Sequence, residues 1–159
     1  MTTPHTTSYE VVPIGVVSSP RKEITDDHWG GVEAVIRLDS GVFGLDALAG
    51  LDTFSHLEVV FLFHKVAPEQ VHRGARHPRG NAEWPQIGVL AQRVKNRPNR
   101  LGVSRCELLK VEGADLYIRG LDAIDGTPVL DIKPYMTEFA PRGEVRQPAW
   151  SHELMHEYY

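Results

Sequence analysis

Residues 104–121 read SRCELLKVEGADLYIRGL. The two halves, residues 104–112 and 115–121, carry strand-like alternation, and VEGAD at 111–115 between them reads as a hairpin loop. The sequence on either side continues in the same manner. Upstream, residues 88–94 (GVLAQRV), 32–38 (VEAVIRL) and 9–17 (YEVVPIGVV) have strand composition. Residues 56–66 (HLEVVFLFHKV) form a nearly unbroken apolar run, the pattern of a strand covered on both faces. Downstream, DGTPVLDIKPY at 125–135 begins with the turn pair Asp125-Gly126. Pro128 has no N–H for a ladder hydrogen bond, so residues 128–132 are expected as an edge strand. Asp131 and Lys133 then face away from Leu130 and Ile132. Short strands with frequent turn signals point to an all-β barrel or sandwich.

Helical signals are few. Residues 44–50 (GLDALAG) suit one short helix, and the tail from Pro148 (PAWSHELMHEYY) suits another with Ser151 as N-cap. Residues 72–86 (HRGARHPRGNAEWPQ) have no apolar period and read as a long mobile loop. The expected organisation is a disordered tail at 1–8, one β domain at 9–141 and a helical extension at 142–159.

The bulk composition excludes several classes. At 159 residues, 42% hydrophobic and 24% charged, the chain has the make-up of one ordinary globular domain. No apolar run approaches the roughly 20 residues of a membrane-spanning helix, and residues 1–8 lack the order of a secretory signal. The single cysteine, Cys106, has no internal disulfide partner. A cytoplasmic protein is the default reading, with neither membrane nor DNA as partner. The total charge is −4, yet residues 64–110 hold ten Lys and Arg against three Glu. That asymmetry suits a protein with one face for phosphates, or a set of solvated loops.

The stretch RPNRLGVS at 97–104 is a basic turn leading into a strand. Pro98 fixes one backbone angle, and Asn99 and Gly102 accept turn conformations. Such a turn could hold an anion or simply separate two strands. Asp131 could accept from ribose hydroxyls or an exocyclic amine, or form a surface pair with Lys133 worth little energy.

Four blocks occur in order: IGVVSSPRKE (14–23), LDTFSHLEVVFLFHKV (51–66), RPNRLGVS (97–104) and DGTPVLDIKPY (125–135). Together they resemble the TsaA-like (YaeB/TrmO) family of tRNA methyltransferases, over residues 12–139. The resemblance implies a small compact β-barrel with few short helices, and a homodimer with S-adenosylmethionine bound near a subunit boundary. It also implies methyl transfer to the exocyclic amine of threonylcarbamoyl-adenosine in tRNA. Carried over by position, the cofactor site draws on Pro20, Arg21, Lys22, His64, Lys65, Arg93, Leu101 and Ser104, and on the turn Asp125, Gly126, Thr127 and Pro128. Arg93 is the candidate for the methionine carboxylate, because guanidinium offers a bidentate fork. RNA contact is expected at Arg73, Arg76, Arg79, Arg97 and Arg100. No catalytic residue is assigned, Asp131 being a weak candidate for a base, and no metal is expected.

Three departures from the family pattern stand out. Arg100 occupies the second proline of the usual RPNPIG. The usual ATRS reads Ala91-Gln92-Arg93-Val94 here. Bacterial tRNA-modifying members often carry a further C-terminal domain, which is not expected here. The alternative is an S-adenosylmethionine-binding or regulatory module without tRNA activity. Finally, His152-Glu153-Leu154-Met155-His156 spells HExxH. A catalytic zinc site needs a third protein ligand, so surface histidines on a terminal helix are the preferred reading.

Overall fold

The computed structural model describes residues 7–159. Six strands close into an antiparallel barrel: β1 (Gly15–Ser18), β2 (Glu33–Leu38), β3 (His56–Leu62), β6 (Leu101–Glu112), β7 (Asp115–Arg119) and β8 (Pro128–Pro134). The order around the barrel is β1-β2-β7-β6-β3-β8, and β8 returns to β1. Two short strands, β4 (Ala75–Arg76) and β5 (Ile87–Gly88), pair separately.

Alternation places the core. Leu57, Val59 and Phe61 of β3 point inward with Cys106 and Leu108 of β6, Leu116 and Ile118 of β7, and Ile36 of β2. Closure removes exposed sheet edges, so a chain of this size covers its apolar faces within one layer. The expected hairpin forms, with Glu112 opposite Asp115 and Gly113 at φ 60°. A tight two-residue turn requires that positive φ, which glycine adopts without steric cost.

Several expectations need correction. Only Gly15–Ser18 of residues 9–17 is a strand, and residues 9–13 are exposed. Strand β3 alternates between buried and half-buried side chains rather than being covered on both faces, because one side of a barrel wall looks outward. It ends at Leu62, so His64 and Lys65 lie just beyond it. Strand β8 is not an edge: it pairs with both β3 and β1. Pro128 is tolerated as its first residue, where a missing donor matters least. In residues 88–94 the chain leaves the strand at Gly88 and makes a 3₁₀ turn over Val89–Ala91.

Residues 72–86 are structured, containing β4 and a 3₁₀ turn at Pro78–Gly80. Residues 44–50 hold a 3₁₀ turn at Leu45–Leu48. The terminal helix α1 spans Ala149–Met155 and its N-cap is Pro148, not Ser151. The Ser151 hydroxyl instead donates back to the Pro148 carbonyl at 2.6 Å. The tail expected at 1–8 falls mainly on residues 1–6, which lie outside the described residues. No helix among the described residues is long and apolar enough to cross a membrane.

Candidate ligand-binding site

The four sequence blocks meet at one end of the barrel. Val17 N–H donates to the Thr127 carbonyl at 2.9 Å, and Gly126 N–H donates to the Val17 carbonyl at 2.8 Å. Asp125 N–H donates to the Arg21 carbonyl at 2.8 Å, while the Asp125 carboxylate accepts from Ser19 N–H at 2.9 Å. Phe63 N–H donates to the Arg100 carbonyl at 2.8 Å, and Lys65 Nζ donates to the Lys22 carbonyl at 3.3 Å. These contacts tie the ends of β1 and β3 to the starts of β6 and β8.

A cavity of about 1030 Å³ opens at this end. Small-molecule sites commonly occupy about 300–1,000 Å³, with apolar walls and a few placed polar groups. Phe61, Phe63, Leu101, Val103 and Trp29 form the barrel-side wall. Residues 66–100 fold across a second side. Their turn structure is stapled by buried Gln92, whose amide donates to the carbonyls of Ile87 at 2.7 Å and Arg76 at 3.2 Å. The C-terminal segment supplies a third side through Trp150, Leu154, Met155 and Tyr158. It is held by Trp29 N–H donating to the Tyr158 carbonyl at 2.7 Å and Trp84 Nε1 donating to Glu153 at 2.7 Å.

Of the cofactor residues expected from the sequence, His64, Lys65, Arg93, Leu101, Ser104 and Thr127 line this cavity. Pro20, Arg21, Lys22, Asp125, Gly126 and Pro128 do not; Arg21, Lys22, Asp125 and Gly126 make the hydrogen bonds between blocks given above. The Arg21 guanidinium is committed to structure, lying 3.9 Å from the Trp29 ring centroid and donating to the carbonyls of Asp27 and His28. Thr127 caps its own turn, its hydroxyl donating to the Ile124 carbonyl at 2.7 Å. Asp131 lies outside the cavity, 3.2 Å from Lys133, as a surface ion pair.

The basic residues divide in the same way. Lys65, Arg79, Arg93, Lys95 and Arg97 all border the cavity, against Asp26 and Asp122. Five of the ten Lys and Arg of residues 64–110 thus border one opening. Arg97 donates to the Gln92 carbonyl at 2.6 Å, and Arg100 donates to the Val66 carbonyl, so both stabilise the turn. Asn99 and Arg100 sit at φ 63° and 51°, as the turn reading anticipated for Asn99. Gly102 is different: it lies within β6, and its missing Cβ makes room for the Phe61 and Phe63 rings. Arg79 pairs with Asp27 at 2.9 Å, Arg76 reaches Asn96 at 3.5 Å, and Arg73 is exposed. The loop that carries them is not separate from the cavity, because Arg79 borders it.

Sequence reading missed Asp122, Trp29 and the C-terminal aromatics. Asp122 lies three residues before the Asp125-Gly126 turn, where only that turn was conspicuous. Its Oδ2 accepts from the Tyr158 hydroxyl, and its Oδ1 is buried without a partner among the described residues. Burial and the Asp122 charge push the Tyr158 phenol pKa well up. Burial, and then the neighbouring Lys65 charge, hold the His64 pKa below its ordinary value. Burial pushes the Cys106 thiol up to about 12, which suits a small core side chain rather than a nucleophile. His152 is exposed on α1 and His156 is exposed just past its end, and Glu153 is taken by Trp84.

Residues 19–140 match the family described as tRNA-methyltransferase O N-terminal domain. The chain is 38% identical over 140 residues to a tRNA (adenine(37)-N6)-methyltransferase of Escherichia coli, covering 81% of this chain and 58% of that protein. It is 40% identical over 133 residues to a probable S-adenosyl-L-methionine-binding protein of Methanothermobacter thermautotrophicus, covering 82% of this chain and 93% of that one. The crystal structure of TrmO from P. aeruginosa superposes with a TM-score of 0.74 at 28% identity, over 93% of this chain and 64% of that one. The chain therefore spans little more than half of the E. coli relative, and nearly all of the Methanothermobacter one.

Proposed function

The chain belongs to the tRNA-methyltransferase O N-terminal domain family. From that premise we propose that it is an S-adenosylmethionine-dependent methyltransferase acting on the exocyclic amine of threonylcarbamoyl-adenosine in tRNA. The observation that carries this reading is that the four sequence blocks meet at one end of the barrel, where three of them line a cavity of about 1030 Å³ with a cationic border. Aromatic and aliphatic walls suit a nucleoside, and the cations suit a carboxylate and nearby phosphates.

When bound, S-adenosylmethionine supplies a methyl group already activated on a sulfonium. The protein's part is to position the reactants and exclude water. Arg93 donates one N–H to the Val103 carbonyl at 2.6 Å, which fixes its guanidinium and leaves other donors for a carboxylate. His64, Lys65, Leu101, Ser104 and Thr127 complete the proposed cofactor wall. Pro20, Arg21, Lys22, Asp125, Gly126 and Pro128 hold that wall in place. Arg73 and Arg79 are the proposed phosphate contacts. Arg76, Arg97 and Arg100 shape the segment that presents them.

The proposal extends to a homodimer acting in the cytoplasm. Val16 and Leu109 are large apolar side chains 40% exposed outside the cavity, and the proposed second subunit covers apolar surface of this kind. Residues 9–141 form the proposed catalytic domain and 142–159 its helical extension. Methyl transfer from labelled S-adenosylmethionine to tRNA, with and without the threonylcarbamoyl modification, tests the activity. Transfer only to modified tRNA is expected. Cofactor binding without any transfer would overturn the enzyme reading in favour of a binding module.

A further inference from the structure

One side of the cavity has no part in the cofactor reading: the C-terminal segment. There Trp150, Ser151, Leu154, Met155 and Tyr158 are half-buried and line the cavity, while His152, Glu153, His156 and Glu157 are exposed. That spacing is one face of a helix. The face is clamped at several points. Glu153 accepts from Trp84 Nε1 at 2.7 Å, and the Glu157 and Tyr158 carbonyls accept from His28 N–H at 2.9 Å and Trp29 N–H at 2.7 Å. The chain has three tryptophans, and two are committed to structure. Trp29 is 3% exposed with the Arg21 guanidinium over its ring, so it has no open face. Trp84 gives its N–H to Glu153. Tyr158 is committed as well, its hydroxyl to Asp122 and its ring edge-to-face against Tyr159. Trp150 differs. It stacks on no ring, lies under no cation, and its Nε1 donates to no group among the described residues. An uncommitted aromatic face on a fixed mount beside a cationic opening suits a nucleobase, because every base has a π-face to stack.

We propose that Trp150 is the stacking platform for the nucleobase of the methyl acceptor, which makes the α1 side of the cavity the acceptor side. This rests on the tRNA reading above and deepens it. Two observations separate the acceptor base from the cofactor's own adenine. First, the residues assigned above to the cofactor wall lie between positions 64 and 127, on the barrel side and in the segment across from it. A donor held there leaves the α1 side to the acceptor, because donor carbon and acceptor nitrogen must face one another in line. Second, the match to the family ends at residue 140, ahead of α1 at Ala149–Met155. Trp150 therefore lies outside the matched part, where a choice of acceptor can be built without disturbing the site for a common cofactor. Stacking holds a base by its face and leaves its edge, which carries the exocyclic nitrogen, free to meet the methyl group.

Two synthetic anticodon stem-loops test the idea, one carrying threonylcarbamoyl-adenosine at the acceptor position and the other abasic there. The wild type is expected to bind the base-bearing stem-loop at least about fivefold more tightly, and that RNA alone should quench tryptophan fluorescence. Trp150→Ala should lower affinity for the base-bearing stem-loop by about 5- to 100-fold, the worth of one base–aromatic stack, and leave the abasic one within about twofold. Trp150→Phe should keep most of the affinity, because a ring remains, yet lose the quenching. S-adenosylhomocysteine, titrated by calorimetry, should bind Trp150→Ala within about twofold of wild type. Equal affinity of the wild type for the two stem-loops would overturn the proposal, whether or not the variants fold. So would a folded Trp150→Ala that binds the base-bearing stem-loop as the wild type does. A loss for S-adenosylhomocysteine as large as that for RNA would place the cofactor's adenine on Trp150 and overturn it too. If a folded wild type binds S-adenosylhomocysteine but neither stem-loop, the tRNA reading itself falls and this inference with it.

Discussion

Gly102 offers a test of how the barrel builds the cavity wall. A Cβ at this position would lie 2.5 Å from Phe61 Cε2, 2.6 Å from Phe61 Cζ and 2.9 Å from Phe63 Cζ. Carbon atoms normally approach to about 3.5–4.0 Å, so Gly102→Ala forces the rings back by about 1 Å. Phe61 is 1% exposed and meets Phe63 edge-to-face with centroids 5.4 Å apart, so the two rings must move together. Overpacking of this kind costs about 1–3 kcal/mol. The backbone of Gly102 is not at positive φ, so alanine is conformationally acceptable and regains about 0.4–1 kcal/mol from the unfolded chain. The net expectation is about 1–2 kcal/mol of destabilisation, or a melting temperature lower by about 2–8 °C for a chain of this size. Thermal and urea unfolding of Gly102→Ala, Phe61→Leu and the double variant measure it. Leucine removes the ring atoms that clash, so Gly102→Ala should cost at least about 1 kcal/mol less in the Phe61→Leu background. A Gly102→Ala protein that melts with the wild type, or an equal cost in both backgrounds, would refute the packing argument.

Further outcomes follow from the same structure. The Cys106 thiol, pushed up to about 12 by burial, should resist iodoacetamide at pH 8 until the protein unfolds, and stability should be full below the thiol's unfolded pKa and fall as pH rises beyond it. His64 is held neutral, its folded pKa lying below its unfolded value, so its contribution is complete above about pH 6.5 and is lost as pH falls through the folded pKa. Denaturation midpoints between pH 7.5 and 5 should show this decline, and His64→Gln should reduce it. For tRNA, replacing Arg73 and Arg79 by Ala should flatten the dependence of log affinity on log salt by about 0.7 per lost contact with single-stranded RNA, measured by filter binding. Because Arg79 borders the cavity, its replacement should also weaken cofactor binding, whereas Arg73→Ala should not.

Much of the fold was legible in the sequence because strand signals are local. Alternation along residues 104–121 marks which side chains share a face, and Gly113 marks where the hairpin turns. Asn99 was readable as a turn residue because positive φ favours its side-chain type. The four blocks were readable as a family pattern, and the structure brings them to one end of the barrel. What remained hidden depends on closure. Whether β8 was an edge could not be settled from Pro128, since a missing donor says nothing about what lies on the other side. Gly102 looked like a turn glycine, and only the position of Phe61 on the neighbouring strand explains it. Arg97 and Arg100 read as phosphate contacts, but their side chains reach carbonyls that sequence distance conceals. Most of all, Asp122 acquires its hydrogen-bond partner from the docking of Tyr158, 36 residues further along. Periodicity reports neighbours within a strand. The charge and hydrogen-bond balance of a cavity depends on which distant segments meet there, and only the tertiary structure decides that.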